Sequence, residues 1–240
     1  MSGDGPGRPQ HLGGLAGPGV RILLAGTGTH RAGSALPDVA AVATSLAEVG
    51  RVLTGECGAD PAHLRVLTDP ADPVTLGAAL AEAAGQATDV LLLYYIGHGL
   101  VSADGELHLA TMATDDPGRG LAYKALPFAA VRDAVADCRA RAIVIVLDCC
   151  FAGRAARSAR PLMTGSRRPR SGALTCWPPP RTTSRRSPRP ETGGPRSRLR
   201  WWTCCARAIR AGRAGSPWGT STGPWPGRCP RAVCPGRGAP

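Results

Sequence analysis

No stretch of about 18 consecutive apolar residues occurs in the sequence, so no membrane-spanning helix is expected. The opening residues 1–19 are rich in glycine and proline and lack an apolar h-region, so no secretory signal is expected. The cysteines are therefore read as reduced thiols of a cytoplasmic protein. The adjacent pair Cys149 and Cys150 lacks both C-x-x-C spacing and a neighbouring histidine pair, which argues against a zinc site; no metal or other cofactor is assigned. Acidic residues are almost missing from one part of the chain. Residues 154–240 hold nineteen arginines and one acid, Glu191, whereas residues 1–153 hold ten basic and sixteen acidic residues. The net charge of +12 therefore belongs to the tail, since the front is at −6 and the tail at +18. All five tryptophans lie beyond residue 176. Three stretches follow: a flexible leader over 1–19, a folded domain over 20–165, and an Arg/Pro-rich tail of low order over 166–240.

What the front does contain is strands alternating with helices. Val20–Ala25 predicts a strand, followed by the loop Gly26–Leu36. Its G-T-G invites a dinucleotide reading, but the third glycine falls at Gly33, so the fingerprint is incomplete. Pro37 and Asp38 open a helix through about Leu53, with Val39, Val42, Leu46, Val49 and Leu53 on one stripe. A strand at His63–Thr68, a helix at about Val74–Gln86 and a strand at Val90–Ile96 follow. Gly105–Ala113 alternates as a partly exposed hairpin. Phe128–Ala140 predicts the third helix and Ala142–Leu147 the fourth strand. This order implies an α/β domain: a doubly wound, mostly parallel sheet with helices on both faces.

Two strands end in chemistry. Asp89–Gly99 (D-V-L-L-L-Y-Y-I-G-H-G) delivers His98 between two glycines, and Ala142–Gly153 (A-I-V-I-V-L-D-C-C-F-A-G) delivers Asp148, Cys149 and Cys150. Parallel sheets present functional groups beyond the carboxyl ends of their strands. A thiol is a nucleophile as thiolate, and an imidazole beside it acts as base or ion-pair partner. The backbone N–H groups of Gly99 and Cys150 are candidates for holding an oxyanion. Taken singly, a buried cysteine at a strand end is inert packing and a histidine between glycines is a turn residue. Together, 52 residues apart, they have the spacing known for caspases.

Y-Y-I-G-H-G at 94–99 and D-C-C-F-A-G at 148–153 resemble the two catalytic motifs of the caspase–metacaspase family of cysteine peptidases, especially its bacterial members. The resemblance covers roughly Val20–Arg160 and includes the G-T-G loop and the L-P-x-V helix start at Leu36–Val39. It implies a cysteine-type endopeptidase with Cys150 as nucleophile, His98 as base and Cys149 as a neighbour pointing elsewhere. Caspases proper carry Q-A-C-R-G, which this chain lacks. In metacaspase-like members the acid two residues before the nucleophile lines a pocket for Arg or Lys, so Asp148 is the substrate-binding candidate and cleavage after a basic residue of a polypeptide is expected. A helix N-cap is the alternative role for Asp148. Asp115 and Asp116 could add to that pocket, bind the calcium that activates some metacaspases, or be solvated.

The tail admits three readings: an arginine-rich arm for nucleic acid, a disordered segment, or translation of a shifted frame in a GC-rich gene. Back-translated and read from the third base, Pro195–Ala211 allows A-F-T-A-A-V-V-D-L-L-R-A-G-D-P-G, an amphipathic helix. The same shift allows a strand over Gly172–Pro179 and a helix over Gly215–Trp225. A frameshift product is the expectation, and it would leave the strand before Cys150 as an exposed apolar edge. The rival to a peptidase is an idle remnant, or a binding protein whose basic tail holds nucleic acid.

Overall fold

The computed structural model describes residues 15–152, Ala155, and the strand 171–177 as backbone. In chain order the elements are β1 (Val20–Gly26), α1 (Ala41–Gly55), a 3-10 turn (Pro61–His63), β2 (Leu64–Thr68), α2 (Pro73–Gln86), β3 (Val90–Ile96), β4 (Gly99–Val101), β5 (Leu107–Ala110), α3 (Leu121–Lys124), β6 (Ala125–Pro127), α4 (Phe128–Ala136), β7 (Ala142–Asp148) and β8 (Ser171–Trp177). Five strands form one parallel sheet in the order β2-β1-β3-β7-β8, and β4-β5-β6 form a small antiparallel sheet. The expected α/β architecture with a mostly parallel sheet is therefore present.

Burial on both faces explains why β3 is apolar throughout. Every residue of V-L-L-L-Y-Y-I is buried, as a strand covered on both sides requires. Alternate side chains serve opposite layers. Val90, Leu92, Tyr94 and Ile96 pack with Val42, Leu46, Val49 and Leu53 of α1. Leu91, Leu93 and Tyr95 pack with Leu76 and Leu80 of α2 and with Val131 and Val135 of α4. Each fully buried Leu contributes about 1.5–3 kcal/mol relative to exposure, so the two layers hold the sheet from both sides.

The helix boundaries differ from those read in the sequence, for local reasons. The first helix begins at Ala41, because residues before it make other bonds: Val39 N–H donates to the Gly28 carbonyl at 2.7 Å, and the Asp38 carboxylate accepts from His30 N–H at 3.2 Å. The Leu36–Val39 segment is thus a loop laid against the loop after β1. α2 is capped by Asp72, whose carboxylate accepts from Thr75 N–H at 2.7 Å, with Pro73 at its first position. α4 stops at Ala136, short of Ala140, and Cys138 N–H closes a turn onto the Val135 carbonyl.

Two expectations are corrected outright. The segment read as a partly exposed hairpin contains β5, which is buried at all four residues, His108 included. It is the central strand of the small sheet, and its Leu107 and Leu109 enter the α2–α4 layer. The strand before Cys150 is not an edge, because β8 pairs with β7 in parallel over its whole length. That pairing uses S-G-A-L-T-C-W in the frame as written, so a strand here needs no shifted frame. The rest of the tail, with its nucleic-acid, disorder and frameshift readings, lies outside the described residues. No helix among the described residues is long and apolar enough to cross a membrane.

Candidate active site

β3 and β7 lie side by side with Ile96 opposite Asp148. One further rung extends the ladder, Gly97 N–H donating to the Asp148 carbonyl at 3.3 Å. His98 and Cys150 each follow that register pair by two residues, at the same depth beyond the sheet. Adjacent strands run about 4.8 Å apart, so the parallel register itself brings the two motifs together.

Gly99 shows how closely they meet. A Cβ added there would collide with the carbonyl oxygen of Cys150 and come within 3.0 Å of Cys149 Sγ. Only a residue without a side chain lets the β3 extension lie against the Cys149–Cys150 turn. Gly97 meets a similar demand, with φ +149° and a Cβ position 2.9 Å from the Thr27 carbonyl. Beyond the thiols the chain reverses through Phe151, whose φ of 58° is left-handed and whose ring is exposed. A non-glycine residue in that conformation costs on the order of 1 kcal/mol, and the sharp turn leaves Cys150 at the surface. Cys150 is exposed, whereas Cys149 is buried in the α2–α4 layer beside Leu147 and Ala152.

His98 is half-buried and fixed at both ends. Its Nε2 lies 2.8 Å from the Pro37 carbonyl oxygen. A carbonyl only accepts, so Nε2 carries the hydrogen and the neutral ring keeps its lone pair on Nδ1. Its backbone carbonyl accepts from Ala110 N–H at 3.0 Å and from the Tyr95 hydroxyl at 3.3 Å. Tyr95 also donates to the Ala110 carbonyl at 2.8 Å, and burial pushes its hydroxyl pKa well up. It therefore remains a neutral donor.

Asp148 is the last residue of β7. Its carboxylate accepts from the Tyr94 hydroxyl at 3.1 Å and is half-buried at the carboxyl edge, on the layer that also holds Ile96 and Val146. The other acids there are engaged differently. Asp115 is gripped by Lys124 Nζ at 2.7 and 2.8 Å, and that ammonium bond holds its carboxyl below the usual range. Asp116 accepts from Gly118 and Arg119 N–H at 2.7 and 3.1 Å. An ammonium thus already sits on Asp115, and no metal-holding cluster of His, Cys, Asp or Glu occurs among the described residues. In the G-T-G loop, Asp69 accepts from Gly28 N–H, Thr29 N–H and the Thr29 hydroxyl at 2.6, 3.1 and 2.9 Å. A carboxylate fills the amides that a phosphate would need, in agreement with the incomplete fingerprint.

Two participants carried no sequence signal: the Pro37 carbonyl and His30, whose ring centroid lies 5.6 Å from that of His98. The two tyrosines stand in the motif, and strand alternation could have assigned them to opposite layers. Nothing in T-G-T-H-R marked His30. With this geometry in hand, comparison with known proteins adds no relative: no protein-family model matches the chain, and no curated protein matches it.

Proposed function

We propose that the protein is a caspase-like cysteine endopeptidase acting through His98 and Cys150. The observation that carries this reading is the β3–β7 register, which sets an imidazole and an exposed thiol at the same depth beyond adjacent strands, closed together by Gly99. His98 Nδ1 takes the thiol proton, and the Pro37 carbonyl bonded to Nε2–H favours the resulting imidazolium. The thiolate attacks a peptide carbonyl and forms the C–S bond. The Gly99 and Cys150 amides stabilise the oxyanion. As the tetrahedral species collapses, His98 returns the proton to the departing amine. Water, deprotonated by His98, then cleaves the thioester and regenerates the thiol. Asp148, held by Tyr94, receives the guanidinium or ammonium of the residue before the scissile bond.

The test is a panel of fluorogenic peptides with Arg, Lys or Asp before the reporter. Arg and Lys peptides are expected to be cleaved and Cys150→Ala to abolish cleavage, with Cys149→Ala remaining active. Cleavage after Asp alone overturns the role of Asp148. Loss of activity in Cys149→Ala with Cys150→Ala still active overturns the nucleophile. No cleavage, together with heparin retention that vanishes on deleting residues 178–240, which leaves β8 in place, favours an idle protein with a nucleic-acid-binding tail.

A further inference from the structure

A second imidazole stands at the carboxyl edge of the sheet. The rings of His30 and His98 are tilted by 35° with centroids 5.6 Å apart. His30 Nδ1 lies 3.2 Å from the Thr111 carbonyl oxygen, so Nδ1 carries the hydrogen. That leaves Nε2 as the lone-pair nitrogen of the neutral ring, and Nε2 is buried without a hydrogen bond among the described residues. The backbone is fixed too, because His30 N–H donates to Asp38 at 3.2 Å. Asp38 directly follows Pro37, whose carbonyl takes the Nε2 hydrogen of His98. One loop therefore holds His98 by a hydrogen bond and backs it with a ring.

We propose that His30 is a positioning residue for His98: a neutral imidazole, anchored to the Thr111 carbonyl, that packs against the His98 ring and keeps its Nε2 on Pro37. This rests on the peptidase reading of His98 and Cys150. In that reaction His98 alternates between neutral and cationic forms, and a neutral aromatic neighbour tolerates a cation at its face. A second imidazolium there would repel it. Four groups face His30: His98 from the end of β3, Asp38 from its own loop, Asp69 from the end of β2, and the Thr111 carbonyl beyond β5. Asp38 is spent on the His30 backbone and Asp69 on the G-T-G loop, so neither carboxylate bonds the ring. Burial and His98 lower the proton affinity of His30, outweighing Thr111, Asp38 and Asp69, which raise it. The ring is thus neutral near pH 7 and gains its proton only in more acid solution.

The experiment compares wild type, His30→Phe and His30→Gln by peptide cleavage across pH, alkylation of Cys150 by iodoacetamide, and 15N NMR of the histidine rings. Phe keeps a ring without the Thr111 anchor, and Gln keeps a donor without the ring. Both variants are expected to lose about 10- to 100-fold in kcat, as misplacement of a catalytic group does, with KM little changed. The acid limb of the His30→Phe profile is expected to be less steep by one proton. In wild type the NMR is expected to show His30 neutral, with hydrogen on Nδ1, at pH 7. Unchanged kcat and acid limb in both variants overturns the proposal, as does a charged His30 at pH 7, which is readable even if the variants fail to fold. Failure of the peptidase reading looks different: wild type cleaves nothing, and Cys150 alkylates like an ordinary thiol at every pH.

Discussion

Tyr94 and Tyr95 are adjacent in sequence and brace opposite sides of one site. Tyr94 reaches Asp148 from the α1 layer, and Tyr95 reaches the His98 and Ala110 carbonyls from the α2–α4 layer. The carboxylate proposed to choose the substrate and the backbone that carries the base are thus both tied to β3. Asp148→Asn keeps an acceptor for Tyr94 but removes the charge. Because a hydrogen bond to a charged group is worth about 1.5–3 kcal/mol, kcat/KM for Arg peptides should fall roughly 10- to 100-fold. Alkylation of Cys150 by neutral iodoacetamide should stay unchanged; an equal fall in both rates would mean that Asp148 serves the thiol instead. At this scale His98, Cys150 and Asp148 were legible because each ends an apolar strand. Cys149 is set apart from Cys150 by the turn beyond β7, which leaves one buried and the other exposed. His30 was illegible, since its partner lies 68 residues away and no local period marks a loop residue.

Strand ends make the site, and the element that joins them is the start of β4. Gly99 pairs with Leu109 on one side and lies against the Cys149–Cys150 turn on the other. Gly99→Ala places a methyl group on the Cys150 carbonyl. Backbone there cannot yield as a flexible side chain would, so a cost of about 1–3 kcal/mol is expected. A lower melting temperature should accompany slower Cys150 alkylation; wild-type values of both would show that the two motifs do not touch. Elements built on apolar runs were readable from sequence, β1, β3 and β7 above all. Those whose surroundings come from other elements were not: α1 starts late because the loop before it is bonded to the β1 loop, and β5 is buried because its Leu107 and Leu109 enter the α2–α4 layer.

On the scale of the whole molecule, an acidic body precedes an arginine-rich tail, and one segment of that tail adds a strand to the sheet. The strand 171–177 was not legible as written, because Gly, Ala and Thr among few large apolar residues give no clear alternation. Its place comes from the open hydrogen-bonding side of β7. The described body also explains why one thiol should stand out among its four free cysteines. Cys57, Cys138 and Cys149 are buried, and Cys150 alone of the four described free cysteines is exposed, beyond the strand beside the one carrying His98. The direct measurement is therefore to treat the full chain with a peptide electrophile bearing Arg at the reactive position and to locate the adduct by mass spectrometry. A single adduct on Cys150, abolished or slowed by His98→Ala, is the predicted result; an adduct on Cys149, labelling spread over the cysteines, or a rate indifferent to His98 would contradict it.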